Sequence, residues 1–179
     1  MKTRLIVVGK TNDKNIIKGI EDYTGRIKHY MPFKIQVIPE LKNTKKISID
    51  TQKDMEADQI LKLITTADTL VLLDEHGNEY TSIEFAKWIE KKQQISRALT
   101  FVIGGPYGFS PKVYERADTK VSLSKMTFPH QMIRLLFVEQ IYRACTIIKG
   151  EPYHHEKNDI KKPEDYFCFP PTLIKSHSN

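Results

Sequence analysis

A cluster of glycines follows an apolar run near the middle of the chain, and it is the first candidate for a binding site. Residues 99–103 have the composition of a buried strand, and Gly104, Gly105 and Gly108 come within the next five positions. Because glycine has no Cβ, the backbone there can take positive φ, and a ligand can approach its amide and carbonyl groups closely. Open α/β folds bind ligands at the carboxyl ends of their strands. The segment is therefore either a ligand-binding loop or a tight connection into a helix that begins at Pro111.

The spacing of these glycines differs from that of a nucleotide-binding fingerprint. Pro106 interrupts the segment, the loop follows a late strand instead of the first, and the lysine of a P-loop is missing. These features disfavour a nucleotide-dependent oxidoreductase.

A second candidate site lies in the segment Pro152-Tyr153-His154-His155, where two histidines follow an aromatic residue. Histidine can serve as a metal ligand or a base, and tyrosine can stack on a nucleobase. A metal site needs more convergent ligands than the sequence offers here, so we predict none. A solvated end of the folded region would also accommodate these residues, and the motif alone does not decide between the interpretations.

The composition is that of an ordinary globular domain. The 179 residues fit one domain, and the formal net charge of +6 permits a nucleic-acid partner without requiring one. Cys145 and Cys168 do not make a disulfide framework, and we find neither a signal peptide nor an apolar run long enough to cross a bilayer. We therefore expect a cytoplasmic protein without membrane contact.

Strand and helix patterns alternate along the chain. Residues 69–73 form a fully apolar strand that ends in a turn over 74–78, and Thr81 with Glu84 has the spacing of a capping box. Because the apolar strands lack polar alternation, the pattern predicts an α/β fold with a mostly parallel sheet that helices cover on both faces.

A long helix over residues 129–149 is apolar on nearly its whole circumference. Such a helix must be buried on all sides, so it is either a central core helix or part of a homodimer interface. Arg134 and Arg143 are among its few polar residues, and each must pair with another group or face a site.

Six segments occur in a fixed order along the chain: Leu5-Ile6-Val7-Val8-Gly9-Lys10, Leu72-Leu73-Asp74, Ile103-Gly104-Gly105-Pro106-Tyr107-Gly108, Leu123-Ser124-Lys125-Met126-Thr127-Phe128-Pro129-His130, Tyr142-Arg143-Ala144 and Pro152-Tyr153-His154-His155. In combination they closely resemble the RlmH (YbeA-like) family of SPOUT-class RNA methyltransferases. The resemblance covers residues 1–155, which we take as the methyltransferase domain.

The resemblance implies an enzyme that methylates N3 of a pseudouridine in large-subunit (23S-type) ribosomal RNA, with S-adenosylmethionine as the methyl donor. It further implies a homodimer that acts on the assembled ribosome late in its maturation. A trefoil knot at the C-terminal end of the sheet is implied as well, and periodicity could not have indicated it because knots are nearly absent from folds.

Roles for individual residues come from the same resemblance. The cofactor-binding residues would be Leu73, Gly104, Gly105, Leu123, Ser124, Lys125, Met126, Thr127 and Phe128. The RNA-binding residues would be His130, Arg134, Tyr142 and Arg143. His154 is the first candidate to take the N3 proton or to hold the base, Arg143 to stabilise negative charge on the carbonyl oxygens, and Tyr153 to stack on the base.

A non-catalytic RNA-binding or ribosome-associated protein that keeps this fold is the alternative. The positive charge of the chain and its arginines fit such a protein equally well. A simple binder, however, would not need the glycine loop together with the segment 123–128.

The chain departs from the family at its C-terminal end. Family members usually end just after the Tyr-His motif, whereas this chain continues through residues 156–179. That stretch lacks hydrophobic periodicity, so we expect an irregular or disordered tail. It nevertheless contains Phe167, Phe169 and two prolines, so it is more than a charged spacer.

Overall fold

The computed structural model describes residues 2–155, and five strands and five α-helices account for most of them. The strands are β1 (Lys2–Val8), β2 (Phe33–Ile38), β3 (Asp68–Glu79), β4 (Ala98–Ile103) and β5 (Thr119–Ser122), and the helices are α1 (Lys14–Ile27), α2 (Ile49–Leu61), α3 (Ser82–Ile95), α4 (Pro111–Arg116) and α5 (Met132–Lys149). All neighbouring strands pair in parallel, in the order β2-β1-β4-β3-β5.

Helices cover both faces of this sheet. The core on one face joins the sheet to α1, α3 and α5, and the core on the other face joins it to α2 and α4. Along β4, Phe101 lies in the first core and Val102 in the second, so both faces of the strand are buried. The prediction of a parallel sheet covered on both faces is confirmed.

The structure differs from the sequence-based expectation at two element boundaries. The predicted turn over 74–78 belongs to β3, which leaves its register after Leu73 and pairs with β5 again at Asn78. Gly77 makes this possible, since a Cβ there would lie 2.6 Å from the carbonyl carbon of Val121. The long helix begins at Met132 rather than near residue 129. The capping box of Thr81 and Glu84 is present as predicted.

Two expectations are not tested by these features. Strand order does not specify how the chain is threaded, so the trefoil knot stays a prediction. The expected tail over 156–179 lies outside the described residues. None of the helices within residues 2–155 is long and apolar enough to span a membrane.

A buried ion pair connects the amino ends of three strands. Arg4 on β1 donates hydrogen bonds to Asp68 Oδ1 at 3.1 Å and to Thr100 Oγ1 at 2.8 Å, and Thr100 itself donates to Asp68 at 2.6 Å. Burial acts to raise the pKa of Asp68, but the hydrogen bonds from Thr100 and Thr65 and the charge of Arg4 outweigh it and lower that pKa. The carboxylate thus stays ionised and fixes the end of the sheet opposite the glycine loop.

We predict that Asp68→Asn lowers the free energy of unfolding by about 2–4 kcal/mol at pH 7, because Arg4 loses its buried partner. Since the folded-state pKa of Asp68 lies below its unfolded value, this contribution is present above about pH 4 and is lost as the pH falls further. Urea titrations at pH 7 and pH 3 measure it. The account would be contradicted if the free energies of unfolding of wild type and variant differed by the same amount at both pH values. Asp22→Asn, at an exposed ion pair, is the control and should change stability little.

Candidate active site

A cleft of about 660 Å³ lies at the carboxyl edge of the sheet. Leu73, Ile103 and Ser122 line it from the ends of three adjacent strands, because parallel pairing brings those ends to one level. This is the position at which open α/β sheets bind ligands, and the volume suits a small organic cofactor.

The glycine loop forms one wall of this cleft. Gly108 has φ +76° and donates its amide to the carbonyl oxygen of Gly105 at 3.1 Å, which closes a tight turn that exposes the backbone. Gly104 packs against the Phe109 ring, 3.0 Å from where its Cβ would be. A Cβ at Gly105 would lie 2.6 Å from the carboxylate of Glu56, so a side chain there must displace that group or enter the cleft.

The loop between β5 and α5 forms the opposite wall. Ser124 holds it in shape, since its Oγ accepts the Met126 amide at 2.9 Å and its carbonyl accepts Ser122 Oγ at 3.0 Å. Every predicted cofactor-binding residue lines the cleft except one. The exception is Lys125, which is absent from the lining.

A carboxylate also lines the cleft. Burial acts to raise the pKa of Asp74, but the Tyr114 hydroxyl and the His76 amide bind the carboxylate and lower its pKa. Burial and the hydrogen bond to Asp74 raise the pKa of Tyr114 to about 12, so this hydroxyl remains a donor. A fixed negative charge in the wall favours a cationic ligand.

His130 lines the cleft just before α5 begins. Arg134, on the first turn of α5, contacts the His130 ring. Arg134 is only 2% exposed; its guanidinium donates to the carbonyl oxygens of Val8 at 2.6 Å and Gly9 at 2.8 Å and lies 2.9 Å from His130 Nε2. Burial, and then the charge of Arg134, lower the pKa of His130, so the imidazole is neutral at pH 7. Arg134 thus joins α5 to β1 within the chain, and its expected contact with RNA phosphate stays a prediction.

The C-terminal motif packs against the other end of α5. Arg143 lies 3.3 Å from His154 Nδ1, stacks 4.8 Å above the Tyr153 ring, and pairs with Glu139. Glu139 also accepts the Tyr153 hydroxyl at 3.0 Å. Together these four residues, which we call the C-terminal cluster, form one connected polar group.

Tyr142 lies under this cluster and is only 9% exposed, with its ring 4.8 Å from that of Tyr153. The ring is therefore used in packing within the chain, and the expected contact between Tyr142 and RNA stays a prediction. Burial raises the pKa of Tyr153, and hydrogen bonds with Tyr23 and Glu139 raise it further, so its hydroxyl stays protonated.

The cluster and the cleft of one chain are well separated. Ile133 lines the cleft, and Arg143 follows ten residues later on the same helix. Ten residues of α-helix span about 15 Å. Within one chain, the predicted catalytic residues therefore do not meet the predicted cofactor site.

Comparison with known proteins assigns the family. A family model described as "Predicted SPOUT methyltransferase" matches residues 1–154. The chain belongs to this family. The match shows a methyltransferase, and it favours an enzyme over a non-catalytic binder of the same fold.

Curated relatives of this SPOUT methyltransferase carry the name "Ribosomal RNA large subunit methyltransferase H". The relative from Phocaeicola vulgatus is 57% identical, that from Bacteroides fragilis 58% and that from Porphyromonas gingivalis 52%. Each alignment covers 157 residues, which is 87% of this chain and the whole length of the relative.

Sequence reasoning did not single out Asp74, which lines the cleft, or Glu139, which belongs to the C-terminal cluster. Asp74 appears in the sequence analysis only within the segment Leu72-Leu73-Asp74, and Glu139 has no role there. The four-residue spacing of Glu139 and Arg143 is the one local signal that could have indicated their pairing. Among residues 2–155, we find no group of three His, Cys, Asp or Glu side chains arranged to hold a metal ion.

We predict that Arg134→Met raises the pKa of His130, because it removes a neighbouring positive charge that disfavours the imidazolium. It should also lower the free energy of unfolding by about 2–4 kcal/mol, since two buried carbonyl groups lose their donor. NMR titration of the histidine rings and urea unfolding measure the two effects. Arg134→Lys, which keeps the charge, is the control and should leave the pKa of His130 lower than in Arg134→Met. An unchanged pKa in Arg134→Met would contradict the assignment.

Proposed function

We propose that this SPOUT methyltransferase transfers a methyl group from S-adenosylmethionine to N3 of a pseudouridine in large-subunit ribosomal RNA. It works as a homodimer in the cytoplasm, on the assembled ribosome late in maturation. Residues 1–155 form the catalytic domain. The observation that carries the proposal is the cleft at the sheet edge, with its bare glycine wall and ionised Asp74, in a chain whose relatives are named for large-subunit ribosomal RNA.

The residues of the cleft fit S-adenosylmethionine. Leu73, Leu123 and Phe128 offer apolar contact for an adenine ring, and the backbone at Gly104 and Gly105 offers hydrogen-bonding groups without a side chain in the way. Asp74 supplies a negative charge that suits a cationic ligand. When bound, S-adenosylmethionine would supply an electrophilic methyl group, and the glycine loop, the loop between β5 and α5, and Asp74 would hold it.

The homodimer is supported by the separation of the two halves of the site. The C-terminal cluster lies about 15 Å along α5 from the cleft of its own chain, so a second copy is the simplest means to bring a cluster to each cleft. The outer side of α5 carries half-buried apolar residues, including Leu136 and Ile147, that a partner helix can cover. We therefore assign each active site to the cleft of one protomer and the cluster of its partner.

Within that site, the cluster acts on the target base. N3 of a neutral pseudouridine carries a proton, so the base must be deprotonated before transfer. The guanidinium of Arg143 can only donate, so His154 beside it accepts at Nδ1, which is the tautomer with a proton on Nε2. This arrangement favours loss of the N3 proton to solvent water, with His154 as a donor that, together with Arg143, stabilises the resulting negative charge on the carbonyl oxygens, over His154 as the proton acceptor. Glu139 is a positioning residue that orients Arg143 and Tyr153.

Gly105→Leu should abolish cofactor binding while the chain stays folded, because the new side chain meets the Glu56 carboxylate or enters the cleft. S-Adenosylmethionine at a hundred times its dissociation constant should stabilise the wild type by about 2.7 kcal/mol and the variant not at all. Gly25→Leu, where a side chain meets nothing within 4 Å, is the control and should bind normally. Normal affinity in a folded Gly105→Leu protein would refute the assignment of the cleft.

Mixed dimers test whether the site is shared. Gly105→Leu lacks a cofactor site, and His154→Ala should bind cofactor normally but transfer slowly. If each site uses residues from both protomers, a refolded equal mixture of the two regains about a quarter of wild-type activity, because half the dimers are mixed and each has one intact site. Recovery no greater than the mean of the separate variants would show that each chain carries its own complete site.

A His154→Gln variant tests the role of the histidine itself, since glutamine keeps a hydrogen-bond donor but cannot act as a base. Partial transfer activity in His154→Gln would support charge stabilisation by His154. Transfer activity as low as in His154→Ala would support His154 as a base.

A further inference from the structure

A second large groove lies on the far side of α1 from the C-terminal cluster. It has a volume of about 780 Å³ and runs between α1 and the edge strand β2. Apolar side chains from both elements form its floor, among them Ile17, Ile20, Ile35 and Val37. Val37 is 45% exposed, which is high for an aliphatic residue on a strand. The methyl-transfer mechanism uses none of these side chains.

The charges around the groove are mostly positive. Lys10, Lys28 and Lys34 line it, with Glu21 as the one carboxylate of the lining. Arg134 also reaches it, and within residues 2–155 the Nε of Arg134 has no hydrogen-bond partner. The groove therefore combines an apolar floor with a positive rim, which suits an occupant that is both apolar and acidic.

The chain itself contains such an occupant. Glu164 and Asp165 immediately precede Tyr166-Phe167-Cys168-Phe169. In an extended segment, residues 167 and 169 point to the same side, so both phenylalanine rings can face an apolar floor. The match to the family model ends at residue 154, so this segment is additional to the part of the chain that the family shares.

The segment is also within reach of the groove. The Tyr153 hydroxyl lies 3.4 Å from that of Tyr23 on α1, and Ile20 and Thr24 of the same helix line the groove. The diameter of a helix with its side chains is about 10–12 Å. The twelve residues from 155 to 167 can span up to about 40 Å, so the connection is long enough to cross α1.

We propose that residues 164–169 dock in this groove of the same chain, with Phe167 and Phe169 on the apolar floor and the two acidic residues beside the lysines. A second copy of the chain is a poorer occupant, because a two-fold contact places the same lysine-rich rim against itself. The groove and the cleft have no lining residue in common. The proposal does not depend on the methyl-transfer reaction.

Paramagnetic relaxation in the full chain tests this arrangement. The thiol of Cys145 is buried and its pKa is raised by that burial to about 12, so a maleimide spin label at neutral pH reacts with Cys168. We expect broadening of the NMR signals of Ile20 and Val37 but not of Leu123 at the cleft or of Ile95 on α3. A mixture of spin-labelled chains and isotope-labelled chains should show no such broadening.

Two matched tail variants complete the test. Phe167→Ser/Phe169→Ser should abolish the broadening at the groove and lower the midpoint of thermal unfolding by at least about 2 °C. Leu173→Ser/Ile174→Ser, the other apolar pair of the tail, should preserve both. Broadening at Leu123, broadening only in the mixture, or groove broadening that survives loss of both phenylalanines would each overturn the proposal.

Discussion

The parallel alignment of three neighbouring strands is the constraint on which the site depends. Leu73 of β3, Ile103 of β4 and Val121 of β5 lie at one level in the register, so the segments that follow them reach the same edge of the sheet. Because they emerge side by side, their backbones form a cleft that a single segment could not enclose. The ion pair of Arg4 and Asp68 lies at the opposite end of the sheet, where it joins β1 to β3.

Arg134 extends this arrangement to the last helix. Its guanidinium binds the carbonyl oxygens at the end of β1 and holds His130 at the cleft, so the beginning of α5 is fixed relative to the sheet. From that point the helix carries Arg143 and its partners away from the cleft. The same rigid connection that fixes His130 at the cleft thus separates the cleft from the C-terminal cluster, and this separation is the basis of the proposed homodimer.

Much of the fold and of the cleft could be predicted from the sequence, because the signals are local. The capping box at Thr81 and the glycines after β4 each depend on a few adjacent residues. The positions of Arg134 and Tyr142 could not be predicted, since their burial depends on groups more than a hundred residues away. Helical periodicity indicated that Arg134 must pair with another group or face a site. It could not distinguish hydrogen bonds to the carbonyl groups at the end of β1 from a contact with RNA phosphate. The extension of β3 past Leu73 depends likewise on its contact with β5.

The central claim is that the cleft and the C-terminal cluster together methylate a pseudouridine of the large ribosomal subunit. The most direct measurement is transfer of a labelled methyl group from S-adenosylmethionine to ribosomes that lack this modification, followed by mapping of the labelled nucleotide. The account predicts label at N3 of a single pseudouridine in large-subunit RNA, with much less label when His154→Ala replaces the wild type. Label on another RNA or another atom, or no transfer from a protein that binds the cofactor, would contradict it.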